Sequence, residues 1–213
     1  MVKGFGASDR FLLSDENITR VWDLQDENWC ATIDNGSGGM GKIANVEFGS
    51  DDSEVLVFSS YGSKVTAWSL WTGKSTEVKD PKFARRGYGR SATGRNGIFA
   101  ILTRPAAQDV VSLHVPGSYA LIKSFTPQTS DAQGLRWSPD GKWLAIWDTP
   151  SAGYKVLIYT ADGNLFRTFN GDYFDDDLKG LGIKSIEWSP NGDFLILAGF
   201  EKTLTMLGTR TVS

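Results

Sequence analysis

The stretch Gln133-Gly134-Leu135-Arg136-Trp137-Ser138-Pro139-Asp140-Gly141-Lys142-Trp143-Leu144-Ala145-Ile146-Trp147-Asp148 decides the fold class. Gly134 to Trp137 alternates as a short strand. Ser138-Pro139-Asp140-Gly141 then turns the chain, because proline presets φ and glycine accepts a positive φ. Lys142 to Asp148 reads as the returning strand, with Trp143, Ala145 and Trp147 on one face and Leu144 and Ile146 on the other. A loop over Thr149 to Gly153 leads into a third strand, Tyr154 to Tyr159. Ala161-Asp162-Gly163-Asn164 turns again, and Leu165 to Phe169 makes a fourth strand. Nothing in this stretch has helical period or helix caps.

The same order of strands and turns recurs along the chain. Gly182 to Trp188, the turn Ser189-Pro190-Asn191-Gly192, Phe194 to Ala198 and Lys202 to Leu207 repeat the first three strands. Val46 to Phe48, Val55 to Ser59, Lys64 to Leu70 and Ser75 to Val78 form another set. Ile98 to Thr103, Asp109 to Val115 and Tyr119 to Phe125 form a third, whose first strand is obscured near Arg85 to Arg90. The third strand of each set closes on a large side chain. These are Trp22, Trp68, His114 and Tyr159, with Met206 a fainter fifth, so the period is about 46 residues. Four short strands per period of that size is the signature of a β-propeller blade, and Trp22-Asp23 is the WD dipeptide itself.

The reading is therefore all-β: one WD-repeat propeller region over residues 1–213. It has about three complete blades (43–79, 86–126, 133–170) and two partial ones (5–34 and 181–213). In the first partial blade, Phe11 to Leu13 and Ile18 to Trp22 read as second and third strands, and the first strand is missing or unrecognisable. In the last, Thr209 to Ser213 is too short for a convincing fourth strand. A single blade cannot bury both of its faces. This count favours a fragment of a longer propeller, and the alternative is that the two partial blades pool their strands and close a small ring.

Composition narrows the function. The chain has 213 residues, 40% of them hydrophobic, and a formal net charge of −3, enough to bury a core and too acidic for bulk electrostatic binding of nucleic acid. No apolar run approaches the length of a membrane span, and no signal peptide opens the chain. Cys30 is the only cysteine, which rules out an intrachain disulfide and favours the cytosol or nucleus.

Few constellations could carry chemistry. In Gly36-Ser37-Gly38-Gly39-Met40-Gly41-Lys42 the glycines fit the spacing GxGxxG and most of GxxxxGK. Both motifs aim backbone N–H groups at phosphate from the start of a helix. Here Ile43 stands where Ser or Thr would hold magnesium, and Ile43 to Phe48 alternates like a strand, so a loop between blades is the better reading. The sole histidine, His114, sits where other repeats carry Trp or Tyr and reads as a packed blade residue. No catalytic residue, cofactor site or metal site is expected, since one histidine and one cysteine leave no multi-His or thiolate zinc set. Asp172, Asp175, Asp176 and Asp177 lack the ligand alternation of a calcium loop, so Asp175 and Asp176 are kept as candidates for partner contact. Lys79 to Arg95 places Arg85, Arg86 and Arg90 beside Phe83 and Tyr88, a pattern that could grip phosphate or an acidic protein surface. Trp29, Trp71 and Trp143 are watched because an exposed tryptophan can anchor a partner.

Several segments go beyond a generic repeat. Leu144-Ala145-Ile146-Trp147-Asp148-Thr149, Tyr154-Lys155-Val156-Leu157-Ile158-Tyr159, Asp162-Gly163-Asn164-Leu165 and Leu181 to Pro190 resemble the WD-repeat-containing protein eight family, also called WRAP-type, of centrosomes and spindle pole bodies. Val21-Trp22-Asp23-Leu24, Trp29 to Ser37 and Asp109 to Leu113 are similar as well. This resemblance spans roughly residues 18 to 200 in the family's order. It implies a non-enzymatic scaffold that acts with a coiled-coil anchoring protein at microtubule-organising centres. It also implies, in fungi, a minus-end-directed kinesin-14 motor, with anchorage of microtubule minus ends as the outcome. The resemblance carries no binding residues onto positions of this chain. Family members are about twice as long and begin with further repeats. Two other classes use Trp-Ser-Pro-Asp-Gly turns. One is a propeller like that of translation initiation factor two A, contacting ribosome or RNA through Arg85 to Arg95. The other is the accessory propeller of a peptidase or of a periplasmic translocation protein.

Overall fold

A computed structural model describes residues 2–5, 9–15, 18–34, 43–49, 52–59, 65–78, 90–93, 97–104, 107–148, 154–171, 182–199 and 204–209. Among these the chain is built from strands joined by tight turns. The first sheet pairs β1 (Val2–Phe5), β2 (Arg10–Ser14), β3 (Ile18–Asp23) and β4 (Asn28–Asp34) in that order. The second pairs β5 (Ile43–Phe48), β6 (Glu54–Ser59), β7 (Val65–Ser69) and β8 (Ser75–Val78). The third pairs β9 (Arg90–Thr93), β10 (Phe99–Thr103), β11 (Val110–His114) and β12 (Leu121–Phe125). The fourth pairs β13 (Gly134–Trp137), β14 (Trp143–Trp147), β15 (Tyr154–Thr160) and β16 (Leu165–Gly171). The last holds three strands, β17 (Ile183–Trp188), β18 (Phe194–Gly199) and β19 (Leu204–Gly208). Each is an antiparallel meander, and the turns the sequence predicts lie between its strands.

The turn chemistry repeats to the atom. After β13 the Ser138 hydroxyl donates to Asp140 Oδ1 at 2.7 Å, and its oxygen accepts the Trp143 N–H at 3.0 Å. After β17 the Ser189 hydroxyl donates to Asn191 Oδ1 at 2.7 Å and accepts the Phe194 N–H at 2.9 Å. Gly141 and Gly192 take φ of 72° and 75°, the left-handed conformation that costs glycine nothing.

Two compact units divide the chain. One is residues 1–89 with 103–106 and 114–121, and the other is residues 90–102 with 107–113 and 122–213. In the first unit Leu12, Val21 and Ile33 of the first sheet pack on Val46, Val55 and Val57 of the second. In the second unit β14 divides its side chains as its alternation predicts. Leu144 and Ile146 join Ala100, Leu102, Val111 and Leu113 in one cluster, while Ala145, Trp147 and the half-buried Trp143 join Ile186, Trp188, Leu195 and Leu197 in another. The fourth sheet is thus apolar on both faces. Gly134 pairs with Trp147 across β13 and β14, and a Cβ there would lie 2.2 Å from the indole ring, so only glycine lets the strand pass. Buried aspartates tie down the connection before β13. Asp148 accepts the N–H groups of Ser130 and Asp131 at 2.6 and 2.7 Å, and Asp109 accepts the Ala132 N–H at 2.8 Å and the Thr129 hydroxyl at 2.6 Å.

The structure corrects the sequence reading in two places. The first sheet does have a first strand, β1, which pairs with β2 through a register shift between Val2 and Gly4. A four-residue strand containing a glycine and a bulge shows no alternation to read. The second correction concerns the closing position of the last set. Trp22 pairs with Phe11, Trp68 with Val55 and Tyr159 with Leu144, and the equivalent pair in the last sheet is Leu207 with Leu195. Met206 is one residue out of phase. In a strand that offset moves a side chain to the opposite face, so Met206 is exposed whereas Leu207 packs inward.

Candidate partner-binding surfaces

At one edge of the first unit the turns before β2, after β3, before β6 and after β7 converge on Arg10. Asp23, the last residue of β3, organises this edge. Its Oδ1 accepts the N–H groups of Gln25 at 2.9 Å and Asp26 at 3.3 Å, and its Oδ2 accepts from Arg10 Nε at 2.9 Å. Arg10 also donates to the Asp52 carbonyl at 3.2 Å. The hydrogen bond from Arg10 holds the Asp23 carboxyl below its ordinary value against the desolvation of the site, and the two backbone N–H groups add to the effect. The Arg10 guanidinium lies 5.9 Å from the centre of the Trp71 ring, within reach of a cation–π attraction. Trp71 itself is 78% exposed.

The turn after β7 has the same construction. Ser69 Oγ accepts the Thr72 N–H at 3.3 Å, three residues on, just as Asp23 accepts that of Asp26. Four residues after Ser69 stands Gly73 with φ of 64°, and four residues after Asp23 stands Glu27 with φ of 49°. Asp9, next to Arg10, is a second non-glycine in the left-handed region, with φ of 56°. Such residues are uncommon and cost on the order of 1 kcal/mol each in the folded state, part of which the greater unfolded-state freedom of glycine would offset.

The outer strand β4 presents the other tryptophan of interest. Trp29 is 42% exposed and stands edge-on to Trp22, their ring centres 4.7 Å apart, while Arg20 lies 5.7 Å above Trp29. The exposed Cys30 thiol is pushed up by desolvation of its sulfur, the reverse of what a nucleophilic thiolate needs.

A cavity of about 370 Å³ in the same unit is lined by Glu54, Thr76, Glu77, Ser118, Tyr119 and Leu121. Tyr119 donates its hydroxyl to the Glu54 carboxylate. Both approach Gly49 so closely that a Cβ there would lie 2.7 Å from each. His114 is fully buried, with Nδ1 3.0 Å from the Tyr119 carbonyl, and is a packed blade residue as the repeat predicts.

The corresponding edge of the second unit is recessed. A groove of about 260 Å³ is lined by Trp143, Ile158, Phe166, Phe169 and Trp188, with Asp140, Arg167, Asn191 and Asp193 among its polar groups. Trp143 and Phe166 stack with ring centres 4.4 Å apart, and Arg167 lies 4.6 Å over Phe169. Burial raises the Asp140 carboxyl, and the donors Ser138 and Lys142 outweigh that and hold it below its ordinary value.

Among the residues singled out from sequence, Trp29 and Trp71 belong to the first unit, each exposed and each beneath an arginine. Arg90 begins β9, and its side chain lies outside the described residues, as do Arg85, Arg86, Asp175, Asp176 and the glycine-rich stretch 36–42. Sequence reasoning missed Arg10, Leu24, Asp26 and Glu27. The available signal was an alignment of two turns, Asp23-Leu24-Gln25-Asp26-Glu27-Asn28 on Ser69-Leu70-Trp71-Thr72-Gly73-Lys74, which sets a glutamate against a turn glycine. Among the described residues no group of three or more His, Cys, Asp or Glu is placed to hold a metal ion.

No family model matches the chain. It is 32% identical over 190 residues to mouse WD repeat-containing protein WRAP73, covering 89% of this chain and 39% of that protein. It is 32% identical over 176 residues to an uncharacterised WD repeat-containing protein of Schizosaccharomyces pombe, covering 77% of this chain and 33% of that one. The chain therefore spans well under half the length of these two relatives. Among solved structures, a chain of the mitotic checkpoint complex superposes with a TM-score of 0.69 at 16% identity, over 93% of this chain and 56% of that chain. That likeness shows the fold, a β-propeller arrangement of sheets. The repeat period, the strand order and the similarity to WRAP73 over 89% of this chain agree: this chain belongs to the WRAP-type WD-repeat proteins.

Proposed function

We propose that this chain is part of a non-catalytic scaffold at the spindle pole body or centrosome. It binds a coiled-coil anchoring protein and a minus-end-directed kinesin-14 motor, and so anchors microtubule minus ends and organises the mitotic spindle. The observation that carries this reading is the 32% identity to WRAP73 over 89% of the chain. The exposed tryptophans at the edge and outer strand of the first unit support it further, because rigid aromatic side chains at a surface are what a protein partner anchors on. The test is a fluorescent fusion of the full-length protein, followed through mitosis and used for affinity capture. The expected result is a focus at each spindle pole and recovery of the coiled-coil protein with the motor. A diffuse signal, together with capture of neither partner, would contradict the proposal.

A further inference from the structure

We propose that the Trp71 edge of the first unit docks a short basic segment of a protein partner, in which an apolar side chain flanked by lysine or arginine packs on the Trp71 ring. This inference rests on the scaffold reading and adds to it the place and chemistry of one contact.

Trp71 is 78% exposed, yet its surroundings are fixed. The Leu70 N–H donates to the Ser53 carbonyl at 2.8 Å, the Gly73 N–H to the Ser69 carbonyl at 3.0 Å and the Thr72 N–H to Ser69 Oγ. Arg10 stands over the ring and is itself held by Asp23 and by the Asp52 carbonyl. A large aromatic surface held in place before binding loses little freedom when a partner covers it. Leu24, 47% exposed in the neighbouring turn, extends the apolar surface, and its N–H is bound to the Asp9 carbonyl at 3.0 Å.

Charge identifies the occupant. The charge of Arg10 is balanced by Asp23 at 2.9 Å. Among the described residues of these turns, exposed Asp9, Asp26 and Glu27 then outnumber the one exposed cation, Lys74. Rim carboxylates around a central tryptophan favour a cationic partner and steer its approach. Glu27 keeps its carboxylate in a left-handed conformation where the matching turn uses Gly73. Folding alone would favour glycine there.

The test titrates the intact chain with a labelled 16-residue peptide of leucine and lysine at helical spacing, and with its glutamate-for-lysine counterpart. The lysine peptide should bind more weakly as salt rises, and the glutamate peptide should not bind. Trp71→Ala should weaken the lysine peptide about tenfold or more, and Asp26→Asn and Glu27→Gly several-fold each. Glu27→Gly should at the same time raise the unfolding midpoint, which separates lost docking from lost fold. Absence of binding, equal binding of both peptides, or unchanged binding by Trp71→Ala would each overturn the proposal. The peptide measurement needs no spindle protein. Retained peptide binding with no focus at the poles removes the spindle reading alone, and the reverse removes the docking surface alone.

Discussion

The residue that opens the second strand differs in kind between the two units. In the first unit it is Arg10 in the first sheet and Glu54 in the second, and these reach Trp71 and Tyr119 in the turns beyond. In the second unit Ile98, just before β10, packs into an apolar cluster, and Trp143 opens β14 against Phe166. Apolar residues there contribute burial. A charged residue contributes less, because the desolvation of its charge offsets much of what its ion pair or hydrogen bond gains, but it can hold an aromatic ring at the surface in a fixed pose. The comparison separates an edge that adds burial from the edge proposed to dock a partner.

The largest effect should come from the second unit. Leu144→Ala removes a fully buried side chain between two sheets and should cost about 3 kcal/mol, read as a lower urea midpoint. A loss much below about 1 kcal/mol would contradict close packing around Leu144. Next, Asp148→Ala orphans the Ser130 and Asp131 N–H groups and should cost about 2 kcal/mol. Hydrogen exchange should then accelerate first in residues 126–133.

The first unit should reveal itself through acid. The Asp23 carboxyl is held below its ordinary value of 3.8, mainly by Arg10. Its contribution is therefore complete above that value and is lost as the pH falls through the lower, folded-state value. The melting temperature of the wild type should drop more steeply below about pH 4 than that of Asp23→Asn. Parallel curves would remove Asp23 from the account. The smallest effect should be Glu27→Gly, a gain of a few tenths to about 1 kcal/mol from relieving a left-handed non-glycine.

Much of the second unit was legible in the sequence, because Ser138-Pro139-Asp140-Gly141 and the alternation of Trp143 to Trp147 are local signals. The fold class followed from their repetition. Three features were not legible. β1 is short and bulged. The phase of Leu207 against Met206 depends on pairing with β18, which spacing alone cannot fix. The proposed docking edge arises from pairs distant in sequence. Trp71 and Trp29 stood out as tryptophans, but nothing local shows that Arg10 sits over the first and Arg20 over the second. Glu27 becomes informative only once its turn is aligned with that of Gly73.

The central claim is that the first unit's edge is kept for a partner at some cost to folding. The most direct measurement compares wild type with Glu27→Gly, recording the melting temperature and the affinity for the lysine peptide on the same samples. A higher melting temperature with weaker peptide binding is the predicted result. A higher melting temperature with undiminished peptide binding would contradict the claim.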